Sequence, residues 1–159
     1  MTRSSLTLPP FQRLVDEHAR DLHRFLVASV GPHDGADCFQ ETLLAALRAY
    51  PNLRSGQNLR GWLFTIAHRK VIDHARARDR RASPVASPPE EAYSDPDRPD
   101  GSLWAAVAGL PPKQRSAVIQ RYVLDRPYAE IAGVIGCSED AARQNVRAGL
   151  RRLREEVLR

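Results

Sequence analysis

Residues 128–154, YAEIAGVIGCSEDAARQNVRAGLRRLR, decide the fold. Ile131, Ala132 and Ile135 recur at helical spacing, which predicts a short helix over Tyr128 to Ile135 with that face inside. Gly136 follows, a residue that enters the left-handed conformation of a tight turn without a Cβ penalty. Ser138 stands where a helix N-cap is needed, and Glu139 and Asp140 fall where carboxylates meet the positive end of a helix dipole. The helix that starts there has an inner stripe of Ala142, Val146, Leu150, Leu153 and Val157. Two helices around a glycine turn, the second one capped, make a helix-turn-helix pattern. Its outer face carries Arg143, Gln144, Arg147 and Arg151, side chains suited to reading base edges and holding phosphates. DNA binding is the expectation.

Working upstream, Lys113 to Leu124 is predicted as a helix burying Val118, Ile119, Tyr122 and Val123, and Leu103 to Leu110 as a short helix ended by Pro111 and Pro112. Before them, residues 83–102 (SPVASPPEEAYSDPDRPDGS) hold five prolines and no apolar periodicity, and read as a linker. The chain therefore divides into a first lobe (1–82), an acidic linker (83–102) and a second lobe (103–159). In the first lobe Phe11, Leu14, Val15, His18, Leu22, Phe25 and Leu26 form one stripe, stopped by Gly31-Pro32. A second helix from about Asp34 to Tyr50 is expected to bury Phe39, Leu43, Ala46, Leu47 and Tyr50, and a third runs from about Leu59 to Arg80. Neither lobe shows sustained period-2 alternation, so the fold class is all-α: two small helical bundles on a string.

The net charge of +5 conceals a pattern. Residues 1–82 carry +5, residues 83–102 carry −4 and residues 103–159 carry +4. Of the 24 basic side chains only Lys70 and Lys113 are lysine. Arginine binds phosphate with a two-pronged fork that lysine lacks. On the third helix Trp62, Thr65, Arg69, Asp73, Arg76 and Arg80 share a face, and Arg60, Lys70, Arg78 and Arg81 add to the charge. An aromatic residue at the head of an arginine row suits a strand whose bases stack while its phosphates are held, although Trp62 taken alone also reads as core. On the second helix Asp37, Gln40, Glu41, Leu44 and Arg48 share a face whose carboxylates would repel DNA, so that face is either solvated or meets a protein.

Several classes are excluded. The longest uncharged stretch, Gly101 to Pro112, falls short of the roughly 20 apolar residues of a membrane span. Arg13 interrupts the early apolar residues before a signal-peptide core forms, so the expectation is a cytoplasmic protein. Cys38 and Cys137 lie far apart without metal spacing. His68 and His74 sit on different sides of one helix and cannot ligate one ion together. No nucleophile signature or phosphate-binding glycine loop is present. The expectation is neither an enzyme nor a protein with a cofactor or metal.

Three segments, DGADCFQETLLAALRAY (34–50), LRGWLFTIAHRKVIDHARARDRR (59–81) and LPPKQRSAVIQRYVLDRPYAEIAGVIGCSEDAARQNVRAGLRRLR (110–154), resemble bacterial sigma factors of the extracytoplasmic-function class. The D-x-x-Q-E-T run, the W-L-x-x-I-A row and the L-P-x-x-x-R lead into the helix-turn-helix occur in that family's order. The resemblance implies that the first lobe is sigma region 2 and the second sigma region 4. It implies that Asp37, Gln40, Glu41 and Arg48 dock on the β′ clamp helices of core RNA polymerase. It implies that Asn58, Arg60, Trp62, Arg69, Arg76 and Arg80 serve the −10 element and DNA melting. Ser138, Asp140, Ala141, Arg143, Gln144, Arg147 and Arg151 would then serve the −35 element. Partners implied are core polymerase including its β flap, promoter DNA and an anti-sigma factor, with no membrane insertion.

Three departures from the family pattern stand out. Arg69 occupies a common Asn position. Cys38 takes the place of a second docking acid, which would weaken that face by one charge. Residues 140–145 replace the usual start of the reading helix. The rival reading is a stand-alone helix-turn-helix transcriptional regulator with the first lobe as sensor or dimer domain.

Overall fold

The computed structural model describes residues 8–81 and 101–159. Among the described residues there is no strand, and seven helices follow one another. They are α1 (Phe11–Val30), α2 (Pro32–Ala49), α3 (Leu59–Arg81), α4 (Gly101–Ala108), α5 (Pro112–Tyr122), α6 (Tyr128–Ile135) and α7 (Glu139–Val157), with a 3₁₀ turn at Tyr50–Asn52. The linker expected over 83–102 lies, up to residue 100, outside the described residues; α4 already begins at Gly101.

The turn between α1 and α2 is as tight as Gly31-Pro32 allows. Gly31 has φ +91°, and its N–H donates to the Val27 carbonyl at 2.9 Å. Pro32, with no N–H to leave unsatisfied, opens α2. The face that α2 buries is made of Gly35, Cys38, Thr42 and Ala46, small residues at helical spacing. A Cβ on Gly35 would come within 2.9 Å of the Val27 Cα, so α1 and α2 approach closely because glycine is there. The Thr42 hydroxyl, fully buried, donates to the Cys38 carbonyl at 2.7 Å and is satisfied within its own helix. Replacing Gly35→Ala is expected to cost about 1–3 kcal/mol through overpacking against backbone, read as a lowered denaturation midpoint with the helical signal unchanged.

This packing corrects two expectations. Leu47, expected inside, is 51% exposed, because the small-residue stripe, not the leucines, faces α1. Cys38, expected on the docking face, is buried at 4%, so it subtracts no charge from that face. Burial, with Glu41, Asp34 and Asp37 nearby, pushes its thiol up to about 11, leaving it a neutral packing group. Two further expectations fail at surfaces: Tyr122 and Val157, expected inside, are 60% and 56% exposed.

In the first lobe Leu22, Phe25 and Leu26 of α1 meet Leu63, Phe64, Ala67 and Val71 of α3, with the Phe25 and Phe64 rings edge to face at 5.7 Å. Apart from the smaller Ala67, each such side chain is worth about 1.5–3 kcal/mol of burial. In the second lobe α5, α6 and α7 enclose Ala117, Ile119, Ile131, Ile135, Ala142 and Val146. Gly149 lets α7 lie against α5, where a Cβ would come within 2.6 Å of Val118.

The lobes are not merely strung together: α3 packs on α6, and α1 on α4 and α5. Charged side chains make much of this contact. Asp21 of α1 takes Arg60 of α3 at 3.3 Å and Arg126 of the second lobe at 3.7 Å. Arg115, buried at 7%, donates to the Ser29 carbonyl at the end of α1 at 2.6 Å. Beside it His68 of α3 is buried at 3%, and neither ring nitrogen has a hydrogen-bond partner among the described residues. Burial, then the charges of Lys113, Arg115 and Arg69, push His68 from 6.5 down to about 4. The packed state therefore holds the ring neutral, whereas an exposed ring takes a proton near 6.5. Its contribution is fully present above pH 6.5 and is lost as the pH falls toward about 4. Melting temperature is expected to drop over that interval, and His68→Leu to flatten the drop.

Candidate nucleic-acid interface

The helix-turn-helix forms as its local signals require. Gly136 takes the left-handed conformation (φ +71°), its N–H donating to the Ala132 carbonyl at 2.9 Å. The Ser138 hydroxyl accepts from the Ala141 N–H at 3.1 Å, so Ser138 and Ala141 form the cap of α7. Asp140 and Gln144 are exposed and Ala141 half-buried at this end of the helix, and Arg147 and Arg151 are exposed along it. Arg143 differs from the other arginines. It bonds Glu139 at 2.6 Å and Asp140 at 3.2 Å, and lies over the Tyr128 ring at 5.2 Å.

On the first lobe, Asn58 takes a left-handed φ of +54°, which Asn tolerates, and its side-chain oxygen accepts from the Gly61 N–H at 3.1 Å. It thus caps α3. Trp62 is half-buried beside Tyr50 (ring centroids 6.1 Å), which in turn meets Phe11 at 5.3 Å, so one side of the indole belongs to an aromatic cluster. Arg69, Arg76 and Arg80 lie exposed along the helix, with Arg78 and Arg81 beside them. Arg60 stands apart from that row. It is turned to Asp21 and over the Phe64 ring at 4.3 Å, in the contact between lobes. Burial and the neighbouring Arg126 lower its guanidinium pKa, Asp21 opposing them.

A third surface lies on α2. Asp37, Gln40, Glu41 and Arg48 are exposed, and between them Leu44 (52%) and Leu47 (51%) stand in solvent. Sequence periodicity missed Leu47 here because it weighs large apolar residues as core. The signal that finds it is the run of small residues on the opposite face.

The sigma-70 region 2 family model matches residues 14–81, and the sigma-70 region 4 model matches residues 100–153. Over 135 residues the chain is 31% identical to the ECF RNA polymerase sigma factor SigC of Mycobacterium tuberculosis, covering 80% of this chain and 72% of that protein. The chain belongs to the extracytoplasmic-function sigma factors. Over 166 residues it is 30% identical to the sigma factor SigE of Mycolicibacterium smegmatis, covering 97% of this chain and 64% of SigE. Among solved structures, it is similar to the sigma factor RpoE of Bartonella quintana, crystallised with the anti-sigma factor NepR (TM-score 0.71, 25% identity, 92% of this chain and 96% of that one). Matches to region 2 and region 4 together favour the sigma factor over the stand-alone regulator. Among its described residues no helix is long and apolar enough to cross a membrane.

Proposed function

We propose that this sigma factor acts in the cytoplasm as the promoter-specificity subunit of RNA polymerase, leaving the chemistry of RNA synthesis to the polymerase. The observation that carries this reading is the character of α2. Asp37, Gln40 and Glu41 flank two leucines that are each more than half exposed, a surface that suits a protein partner and repels DNA. We take it to dock on the clamp helices of the polymerase. The exposed row Arg69, Arg76 and Arg80, headed by Trp62 and the capping Asn58, serves the −10 element and its opening. Arg60 serves it too once released from Asp21. The start of α7, from Ser138 through Gln144 to Arg151, serves the −35 element in the major groove. An anti-sigma protein belongs among its partners, as NepR does for the RpoE whose fold this chain shares.

The test is a gel-shift assay on one promoter, with and without core polymerase. The sigma reading expects specific binding only when the core enzyme is present. Tight specific binding by the isolated chain would favour the stand-alone regulator instead.

A further inference from the structure

We propose that Tyr128 is the positioning residue that sets Arg143 for specific readout of the −35 element; the proposal rests on the −35 reading of α7. In sequence Arg143, Arg147 and Arg151 are alike, three arginines on one outer face. In the structure they divide. Arg147 and Arg151 are exposed and make no ion pair with a described residue, whereas the Arg143 side chain is 39% exposed and held by three groups. Glu139 takes one terminal nitrogen at 2.6 Å, Asp140 takes the other at 3.2 Å, and the guanidinium lies over the Tyr128 ring.

Tyr128 is itself fixed. Its ring packs against the core at the start of α6 and receives a second guanidinium, that of Arg121, at 4.6 Å. Arg121 donates to the Arg126 carbonyl at 3.1 Å, so it ties the α5–α6 loop, where Asp125 has φ +53°, to the same ring. The ring's negative face offsets the repulsion between the two cations.

An arginine that only neutralises phosphate gains nothing from being immobile, because phosphates are everywhere along a duplex. An arginine that reads a base edge must present its planar fork at one place and one angle. The two carboxylates cannot supply that alone. Each stands about one helical turn away, four and three residues before Arg143, and Asp140 is 90% exposed, where ion pairs hold weakly. The Tyr128 ring, packed on the core and 5.2 Å from the guanidinium carbon, limits where the fork can lie. The observed bonds use one N–H on each terminal nitrogen, so a further N–H on each, with Nε, is left for a base.

The experiment uses reconstituted holoenzyme and promoters varied singly through the −35 element, with competition binding at several salt concentrations. Tyr128→Leu, which keeps apolar bulk and removes the ring, is expected to lose roughly tenfold in discrimination at one −35 position while the salt slope stays unchanged. Tyr128→Phe is expected to discriminate like the unmodified protein. In an Arg143→Ala background Tyr128→Leu is expected to add no further loss. Arg143→Lys, which keeps the charge and loses the planar fork, is expected to lose the same discrimination with the salt slope unchanged, and this arm stands even if the leucine variant unfolds. The proposal is overturned if Tyr128→Leu discriminates normally, if Tyr128→Phe fails as badly as leucine, or if Arg143→Lys discriminates normally. Unmodified holoenzyme that ignores every −35 change would overturn the −35 reading and the proposal with it.

Discussion

Glutamate at both Leu44 and Leu47 is expected to abolish binding to core RNA polymerase while leaving the helical fold intact. Both side chains are more than half exposed, so replacing them removes little native packing and the change in stability should stay within about 0.5 kcal/mol. In the complex the same two side chains would be the apolar centre of a docking stripe, ringed by Asp37, Gln40, Glu41 and Arg48. Apolar anchors at the centre of an interface cost about 2 kcal/mol or more each when lost, and here two buried charges replace them. That corresponds to a roughly 100-fold or larger loss of affinity. Asp37→Ala with Glu41→Ala should give a smaller loss, about tenfold, because charges at the rim act more on encounter than on holding. Co-purification measures both. If the leucine variant binds core polymerase normally, α2 is not the docking surface.

The second large effect belongs to α7. With Arg147→Ala and Arg151→Ala together, the holoenzyme is expected to bind promoter DNA about 10- to 100-fold more weakly at moderate salt, with the slope of log affinity against log salt shallower by about two. The two guanidiniums are exposed and make no ion pair with a described residue, which fits groups that hold phosphates. The loss should be uniform across −35 variants. A loss confined to one −35 base would instead mark one of them as a base reader, and an unchanged salt slope would remove both from the interface.

The features legible in the sequence are those written locally. The boundaries of α6, the left-handed Gly136 and the Ser138 cap all follow from residues within a few positions of one another. The all-α class follows from periodicity. What was not legible depends on distance in space. Periodicity places Leu47 in the core because large apolar residues usually lie there, yet Gly35, Cys38, Thr42 and Ala46 leave so little room between α1 and α2 that a leucine has no place there. Asp21 and Arg115, to which helical periodicity gives no partner, join the two lobes across long sequence separations. The difference between Arg143 and Arg147 is likewise invisible to spacing, since it is made by a ring fifteen residues upstream.

On the proposed function, this chain directs RNA polymerase to particular promoters. The direct measurement is runoff transcription with core enzyme reconstituted with the purified chain, on promoters selected from a random library by that holoenzyme. A discrete transcript from selected templates is expected, one that depends on the chain, on the −10 and −35 segments, and on Leu44 and Leu47. A reconstituted enzyme that yields no promoter-specific transcript, or the same transcripts with and without the chain, would contradict it.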